Sequence, residues 1–174
     1  IRILDTSNGF KLLAEVRGSN GVFSPSGERL AYLRFKDTPE MEALRKDIEK
    51  ASAGEAPDSR AAFTIQRQLA SLEAKNCEIV LRDMMSGGES VLPDGGMLKG
   101  ELVFGAAGRE VWFVGGAESD TASNEIYAVA VDSASQTAAP RALTSGPGFK
   151  TVPVLVPGGK FLVYGQPSQS PFPR

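Results

Sequence analysis

Phe23-Ser24-Pro25-Ser26-Gly27-Glu28-Arg29-Leu30-Ala31-Tyr32 is the stretch on which the reading of this 174-residue chain turns. Pro and Gly around a serine mark a tight turn, and Gly supplies the positive φ such turns need. Leu30 and Tyr32 stand three and five residues past the glycine, so on a strand they share one face. Phe23 stands four residues before it. The spacing returns twice. Gly108 leads to Val111 and Phe113 and follows Phe104; Gly159 leads to Leu162 and Tyr164 and follows Leu155. A second kind of unit alternates with the first, a mostly apolar strand that ends at an aspartate: Leu4-Asp5, Arg82-Asp83, Val131-Asp132. An aspartate there suits an Asx-turn, its carboxylate bonding backbone N–H groups two residues on. We prefer that role to catalysis or metal binding.

Working outward, turn signals cut most of the chain into twelve short strands in six hairpins. The pairs are Ile1–Leu4 with Phe10–Val16, Gly21–Ser24 with Arg29–Phe35, and Glu78–Arg82 with Glu89–Leu92. Glu101–Phe104 pairs with Glu110–Val114, Glu125–Val131 with Ala142–Thr144, and Thr151–Val156 with Lys160–Gly165. The fold class is all-β.

Residues 36–76 break the pattern, with 15 of the chain's 40 charged side chains. Thr38 caps a helix that has Pro39 at its first position. Met41, Leu44, Ile48 and Ala51 recur at helical spacing, and Glu42 and Lys46 form an i,i+4 pair. Gly54 and Pro57 break the run. Asp58 or Ser59 caps a second helix with Ala62, Ile65, Leu69 and Leu72 as its stripe, and Lys75 sits in the last turn. Two matching stripes joined by a breaker predict an antiparallel helical hairpin inserted between strands. Its seam residues are expected to be more buried than Glu42, Lys46, Glu49 and Arg67.

The run from Phe23 to Tyr32 resembles the Phe/Trp-Ser-Pro-Asp-Gly-Lys-x-Leu/Ile-Ala-Phe/Tyr signature of bacterial β-propellers, of the TolB type and of the N-terminal domains of prolyl-oligopeptidase-family serine peptidases. Ser26 replaces the usual Asp. Glu125-Ile126-Tyr127-Ala128-Val129 and Arg141-Ala142-Leu143-Thr144 are similar to the third and fourth strands of those blades. The resemblance implies a β-propeller segment over 1–174, about three blades' worth of four-stranded antiparallel sheets, with the helical hairpin at 36–76 inserted within a blade. Read in order, the strands make half a blade, two whole ones and another half. Closed rings usually have four to eight blades, so the expectation is part of a larger propeller. The insert is then a second-to-third-strand loop on the face of the links near Arg17–Asn20, Pro93–Gly100 and Ser145–Lys150.

What the resemblance implies for function is a non-catalytic propeller that gates access to a prolyl-oligopeptidase-like hydrolase domain. The alternative is a stand-alone TolB-type interaction scaffold. A propeller enzyme working through loop carboxylates or a metal is the third reading. The expected partner is a hydrolase domain or another protein on the insert-bearing face, and the resemblance favours an extracytoplasmic (periplasmic or secreted) location.

Composition sets the exclusions. There is no histidine, so this chain alone builds neither a Ser-His-Asp nor a Cys-His centre, nor a His-containing zinc site. A formal net charge of −2 gives no reason to expect nucleic acid, and no apolar run approaches a membrane span. Cys77 is the only cysteine, so no intrachain disulfide forms; it reads as a small apolar residue at a strand start. Walker, Gly-x-Gly-x-x-Gly and Gly-x-Ser-x-Gly motifs are missing, and Gly95–Gly100 reads as a loop. Trp112 is read as core. Glu118, Asp120 and Glu125 are read as loop charge rather than a cation site. We therefore expect no catalytic, cofactor-binding or metal-binding residue, and no cofactor, in these 174 residues. The chain opens at Ile1 without a signal-peptide pattern, and Gln166–Arg174 reads as a Pro- and Ser-rich linker; a longer parent protein is expected.

Overall fold

The three glycine-centred turns are built alike. In each, the N–H of the glycine donates to the carbonyl three residues back: Gly27 to Ser24 (2.9 Å), Gly108 to Gly105 (2.9 Å), Gly159 to Val156 (2.8 Å). The N–H of that third residue back takes the carbonyl five positions on, from Arg29, Glu110 or Phe161, at 2.8–2.9 Å. All three glycines sit at φ between 65° and 75°, where a Cβ costs about 1 kcal/mol or more. The apolar pairs flanking the turns face each other in the same register: Phe23 with Leu30, Phe104 with Val111, Leu155 with Leu162. Ser26 does in its turn what an Asp would, its hydroxyl accepting the Glu28 N–H at 3.4 Å.

The computed structural model describes residues 1–53, 58–117, 123–132, 138–156 and 158–166. Twelve strands are formed among them. They are β1 (Arg2–Asp5), β2 (Lys11–Glu15), β3 (Ser19–Phe23), β4 (Arg29–Phe35), β5 (Cys77–Asp83), β6 (Glu89–Leu92), β7 (Leu98–Phe104), β8 (Glu110–Gly116), β9 (Glu125–Ala130), β10 (Arg141–Ala142), β11 (Thr151–Leu155) and β12 (Leu162–Gly165). Each lies where the sequence predicts a strand, with shifted ends. β7 begins at Leu98, ahead of the expected Glu101, and takes up part of the Gly95–Gly100 stretch. The strands form four sheets: β1-β2, β3-β4-β5-β6, β7-β8-β9-β10 and β11-β12. All pairings between these strands whose register is described are antiparallel, and one isolated bridge, Ser123 with Gly148, is parallel.

Asp5 and Asp83 make the expected Asx-turns. The Asp5 carboxylate accepts from the Ser7 N–H at 2.9 Å, and Asp83 from the Met85 and Ser86 N–H groups at 3.0 and 2.7 Å. Asp132 precedes residues outside the described set, so its turn is not part of this picture.

The chain divides into two compact units, Ile1–Arg34 with Glu78–Arg174, and Phe35–Cys77. In the first, the middle strands of the four-stranded sheets are buried on both faces: Leu30 to Leu33 on β4, Glu78 to Leu81 on β5 and Val111, Phe113 and Val114 on β8. Phe113 and Tyr127 lie opposite each other on β8 and β9 with ring centroids 5.7 Å apart, a pair contributing about 0.5–1.5 kcal/mol beyond its buried area. Gly115 keeps that face clear, since a Cβ there would stand 2.8 Å from the Phe113 ring. The first sheet packs Ile3 against Leu30, Tyr32 and Val80. β7 lies beside both β3 and β11, so the first strands of successive sheets are neighbours.

The second unit is the helical pair α1 (Pro39–Ser52) and α2 (Ser59–Lys75). Thr38 caps α1 with Pro39 following, and Asp58, not Ser59, caps α2. Backbone bonds join Lys36 to Asn76 at one end and Asp58 to Ala51 at the other, so the helices run antiparallel. Met41 and Leu69 are buried and Leu44, Ile48, Ala62, Ile65 and Leu72 half-buried, while Glu42, Lys46, Glu49 and Arg67 are exposed, as the seam predicts. Arg45 of α1 bridges Asp37 (2.8 Å) and Glu73 of α2 (3.2 Å); Asp37 first, then Glu73, raises its already high pKa. Gly54 and Pro57, the predicted breakers, lie outside the described residues.

Candidate functional site

The features that set this chain apart from a plain stack of sheets gather on the first strands, β3, β7 and β11. Each carries a register shift on its way to the turn: between Ser19 and Val22, Lys99 and Leu102, and Thr151 and Val154. In two of them a non-glycine residue adopts positive φ there, Asn20 at 53° and Val152 at 50°. Asn tolerates this region. For β-branched Val152 the conformation costs about 1–2 kcal/mol, so the surroundings must impose it. They do so through β7: the N–H of Val152, freed from its own ladder, is caught by the Glu101 carboxylate.

At the turn end these strands enclose a cleft of about 540 Å³, lined by Val22, Phe23 and Pro25, by Phe104 and Ala106, and by Leu155 with its following turn. The same positions of three repeats therefore form one wall. No titratable side chain lines it. It can hold an apolar group or exclude a bulky one, and it has nothing with which to move a proton. Gly159 is required here twice over: its φ is 71°, and a Cβ would lie 2.0 Å from the Ala106 Cβ. Charge lines a second cleft instead, bordered by Arg29, Asp83, Glu89 and Asp132, which shares no lining residue with the first. Hydrogen bonds from Ser86, backbone first, hold the Asp83 carboxyl below the usual range.

At the opposite end two lysines are buried. Lys99 and Lys150 stand at equivalent positions, each five residues before the apolar residue that faces across its turn (Phe104, Leu155). Each Nζ donates to the carbonyl two residues before it: Lys99 to Met97 (2.8 Å), Lys150 to Gly148 (3.0 Å). Lys99 also meets Asp94 at 3.0 Å, and Lys150 meets Glu125 at 2.9 Å and the Gly146 carbonyl. Glu125 accepts the Thr144 hydroxyl at 2.6 Å as well. The first repeat has Gly18 at this position, where a Cβ would lie 2.1 Å from the Leu33 carbonyl oxygen, so no side chain fits. The sequence reading missed both lysines. Their signal was available, as Lys nine residues before the turn glycine in two of three repeats.

On the second sheet, Glu89 accepts from Tyr32 (3.0 Å), Arg34 (2.9 Å) and Arg82 (2.8 Å), and Glu78 accepts from Arg34 at 2.5–2.8 Å. Burial, then the Glu89 bond, pushes the Tyr32 hydroxyl above its ordinary value near 10. Every member has a partner, so the network reads as a brace across β4, β5 and β6.

The residues singled out in the sequence fall as follows. Cys77 is buried at the start of β5, its thiol directed at the Ala74 carbonyl at 3.4 Å. Trp112 is half-buried, not full core, and donates its indole N–H to Glu110 at 2.9 Å. Glu125 is tied up by Lys150 and Thr144, while Glu118 and Asp120 lie outside the described residues, as do 167–174 of the expected linker. Among the described residues no group of three His, Cys, Asp or Glu is placed to hold a metal ion, and no helix is long and apolar enough to cross a membrane. Comparison with protein-family models and with curated proteins finds no match for this chain.

Proposed function

We propose that the chain is a β-propeller segment of about three blades' worth of sheet, and that it serves as the non-catalytic propeller portion of a prolyl-oligopeptidase-like serine peptidase, limiting which substrates reach a hydrolase domain. The observation that carries the propeller reading is the three-fold recurrence of one hairpin, in hydrogen bonds and in register, with its first strands side by side. Sheets whose strands follow chain order, first strand inward, are how a blade is built. The gating reading is supported by the cleft at the turn end. Its apolar wall without a titratable group suits a passage that sorts by size and polarity while the chemistry is done elsewhere. The peptidase assignment itself rests on the resemblance of the run Phe23–Tyr32.

The test is the reading frame that encodes the chain, followed by the purified parent. A Gly-x-Ser-x-Gly with later Asp and His is expected in the parent. Removing residues 1–174 should then let longer peptides be cleaved while kcat/KM for short ones stays within about tenfold. The 174-residue chain alone, having no imidazole, should hydrolyse neither peptides nor esters. A parent with no nucleophile motif would overturn the peptidase reading in favour of a TolB-type interaction scaffold.

A further inference from the structure

A third cleft, of about 380 Å³, lies at the buried-lysine end of the β7-β8-β9-β10 sheet, and its size is that of a small-ligand pocket. Leu98, Gly100, Val114, Gly116, Asn124 and Phe149 line it. Gly115 lines it too, and the fold accounts for two of these three glycines. A Cβ on Gly115 would meet the Phe113 ring at 2.8 Å, and one on Gly116 the Ser123 carbonyl oxygen at 3.3 Å. Gly100 is different. It lies within β7 without a positive φ, and a Cβ there would meet nothing within 4 Å. Nor does the register shift of β7 ask for glycine. The equivalent positions, one past Gly18 and one past Lys150, carry Ser19 and Thr151, and both of those strands shift as well. A glycine inside a strand weakens it and marks a place where a ligand or another backbone comes close. At Gly100 the missing side chain leaves the cleft open.

The two buried lysines hold its walls. The Lys150 N–H donates to Asn124 Oδ1 at 2.5 Å, and its Nζ to Glu125, Gly148 and Gly146, which ties the link carrying Phe149 to the start of β9. Lys99 Nζ is engaged by Asp94 and the Met97 carbonyl, so it offers no spare charge to an anion. The rest of the lining is mostly apolar, and the Phe149 ring on it is 44% exposed. With its Oδ1 taken by Lys150, Asn124 brings two amide N–H groups as donors. We propose that this cleft is a binding slot for an uncharged aromatic side chain of a peptide. Its ring lies over Gly100 and against Phe149, and its main-chain carbonyl accepts from the Asn124 amide. A ring beside Phe149 gains more than its buried area alone. A charged side chain would be desolvated there without a counter-charge. The proposal stands on one sheet and its link, and holds whether or not the parent is a peptidase.

The test is an NMR titration of the nitrogen-15-labelled chain with three probes. N-acetylphenylalanine amide carries ring and carbonyl, N-acetylleucine amide lacks the ring, and indole lacks the carbonyl. The first should shift the amides of Gly100, Gly116, Asn124 and Phe149 and saturate with a dissociation constant of about a millimolar. Each of the other two should bind at least about threefold more weakly. Gly100→Thr, which borrows the residue of the β11 repeat, fills the slot without a clash. It should weaken the phenylalanine probe at least about tenfold while the melting temperature holds or rises, because threonine suits a strand better than glycine. Phe149→Leu keeps the wall apolar and should bring the phenylalanine and leucine probes to equal affinity. Unchanged binding by Gly100→Thr, or shifts scattered outside the cleft, would overturn the proposal. Indole binding as tightly as the phenylalanine probe would show a site for free rings and overturn the peptide assignment. A Gly100→Thr chain that melts lower would show that the fold requires this glycine, and the argument from it would fail.

Discussion

Replacing Lys150 by Met keeps most of the stem's volume and removes only the ammonium. The group lost is 1% exposed and donates to Glu125, Gly148 and Gly146. Losing one partner of a buried pair costs about 3–5 kcal/mol, because the other charge is left without compensation. Here the stranded carboxylate is 18% exposed and keeps the Thr144 hydroxyl, which places the cost near the lower end, about 3 kcal/mol. Lys99→Met strands a carboxylate of similar exposure (19%) but frees one carbonyl rather than two, so about 2 kcal/mol is expected. Urea unfolding followed by circular dichroism reads both, and an unchanged m-value shows that stability alone has moved. Adding Glu125→Gln to Lys150→Met removes the stranded charge and should recover about 1 kcal/mol; the double-mutant cycle isolates this coupling. A Lys150→Met chain within about 0.5 kcal/mol of wild type would falsify the claim that this lysine latches the link before β11.

The turn glycines separate conformational cost from crowding. Gly27→Ala meets nothing within 4 Å and should lose about 1 kcal/mol for its φ of 75°, whereas Gly159→Ala adds a 2.0 Å approach to Ala106 and should lose at least twice that, part of it returned by Ala106→Gly in thermal melts. Acid titration addresses Asp83. Its carboxyl is lowered from 3.8 in the folded chain, so its contribution is present above about pH 4 and is lost as pH falls through the folded value. The stability gap between wild type and Asp83→Ala, read by urea midpoints at several pH values, should therefore close on acidification; a gap constant from pH 7 to 2 would show that the carboxylate plays no part.

Strand positions and helix seams were legible because the signals are local. A glycine at fixed distance from apolar residues, or Thr-Pro before a stripe at steps of three and four, constrains the backbone within one turn or one helix. What the sequence did not disclose depends on residues far apart in the chain. Tyr32 reaches Glu89 across 57 positions and Arg34 reaches Glu78 across 44, and no periodicity relates them. Val152 is a poor choice for positive φ by local preference, and only the carboxylate of Glu101, on another sheet, accounts for it. The buried lysines were missed for a different reason. Lysine reads as solvent-facing by default, and the repeat is defined by its glycine and apolar positions.

The place where the helical pair interrupts the chain follows from the same hydrogen-bond accounting. β4 and β5 are neighbours in one sheet although some forty residues separate them. Where the chain leaves Phe35 and returns at Cys77, the Lys36 N–H donates to the Asn76 carbonyl at 2.7 Å. The interruption thus occupies the span of an ordinary turn, and closure entropy grows only logarithmically with the length of chain between its ends. Those residues do not remain loose coil. The caps at Thr38 and Asp58, the seam from Met41 to Leu72 and the Arg45 bridge to Asp37 and Glu73 offset their ordering cost from within the unit. The hydrophobic pattern of β4 and β5 accordingly continues across the gap as though it were short, with Leu30 to Leu33 and Cys77 to Leu81 buried without a break. A sheet can host such an insertion at a connection whose two ends are already held side by side, and in the β3-β4-β5-β6 sheet the β4–β5 connection meets that condition.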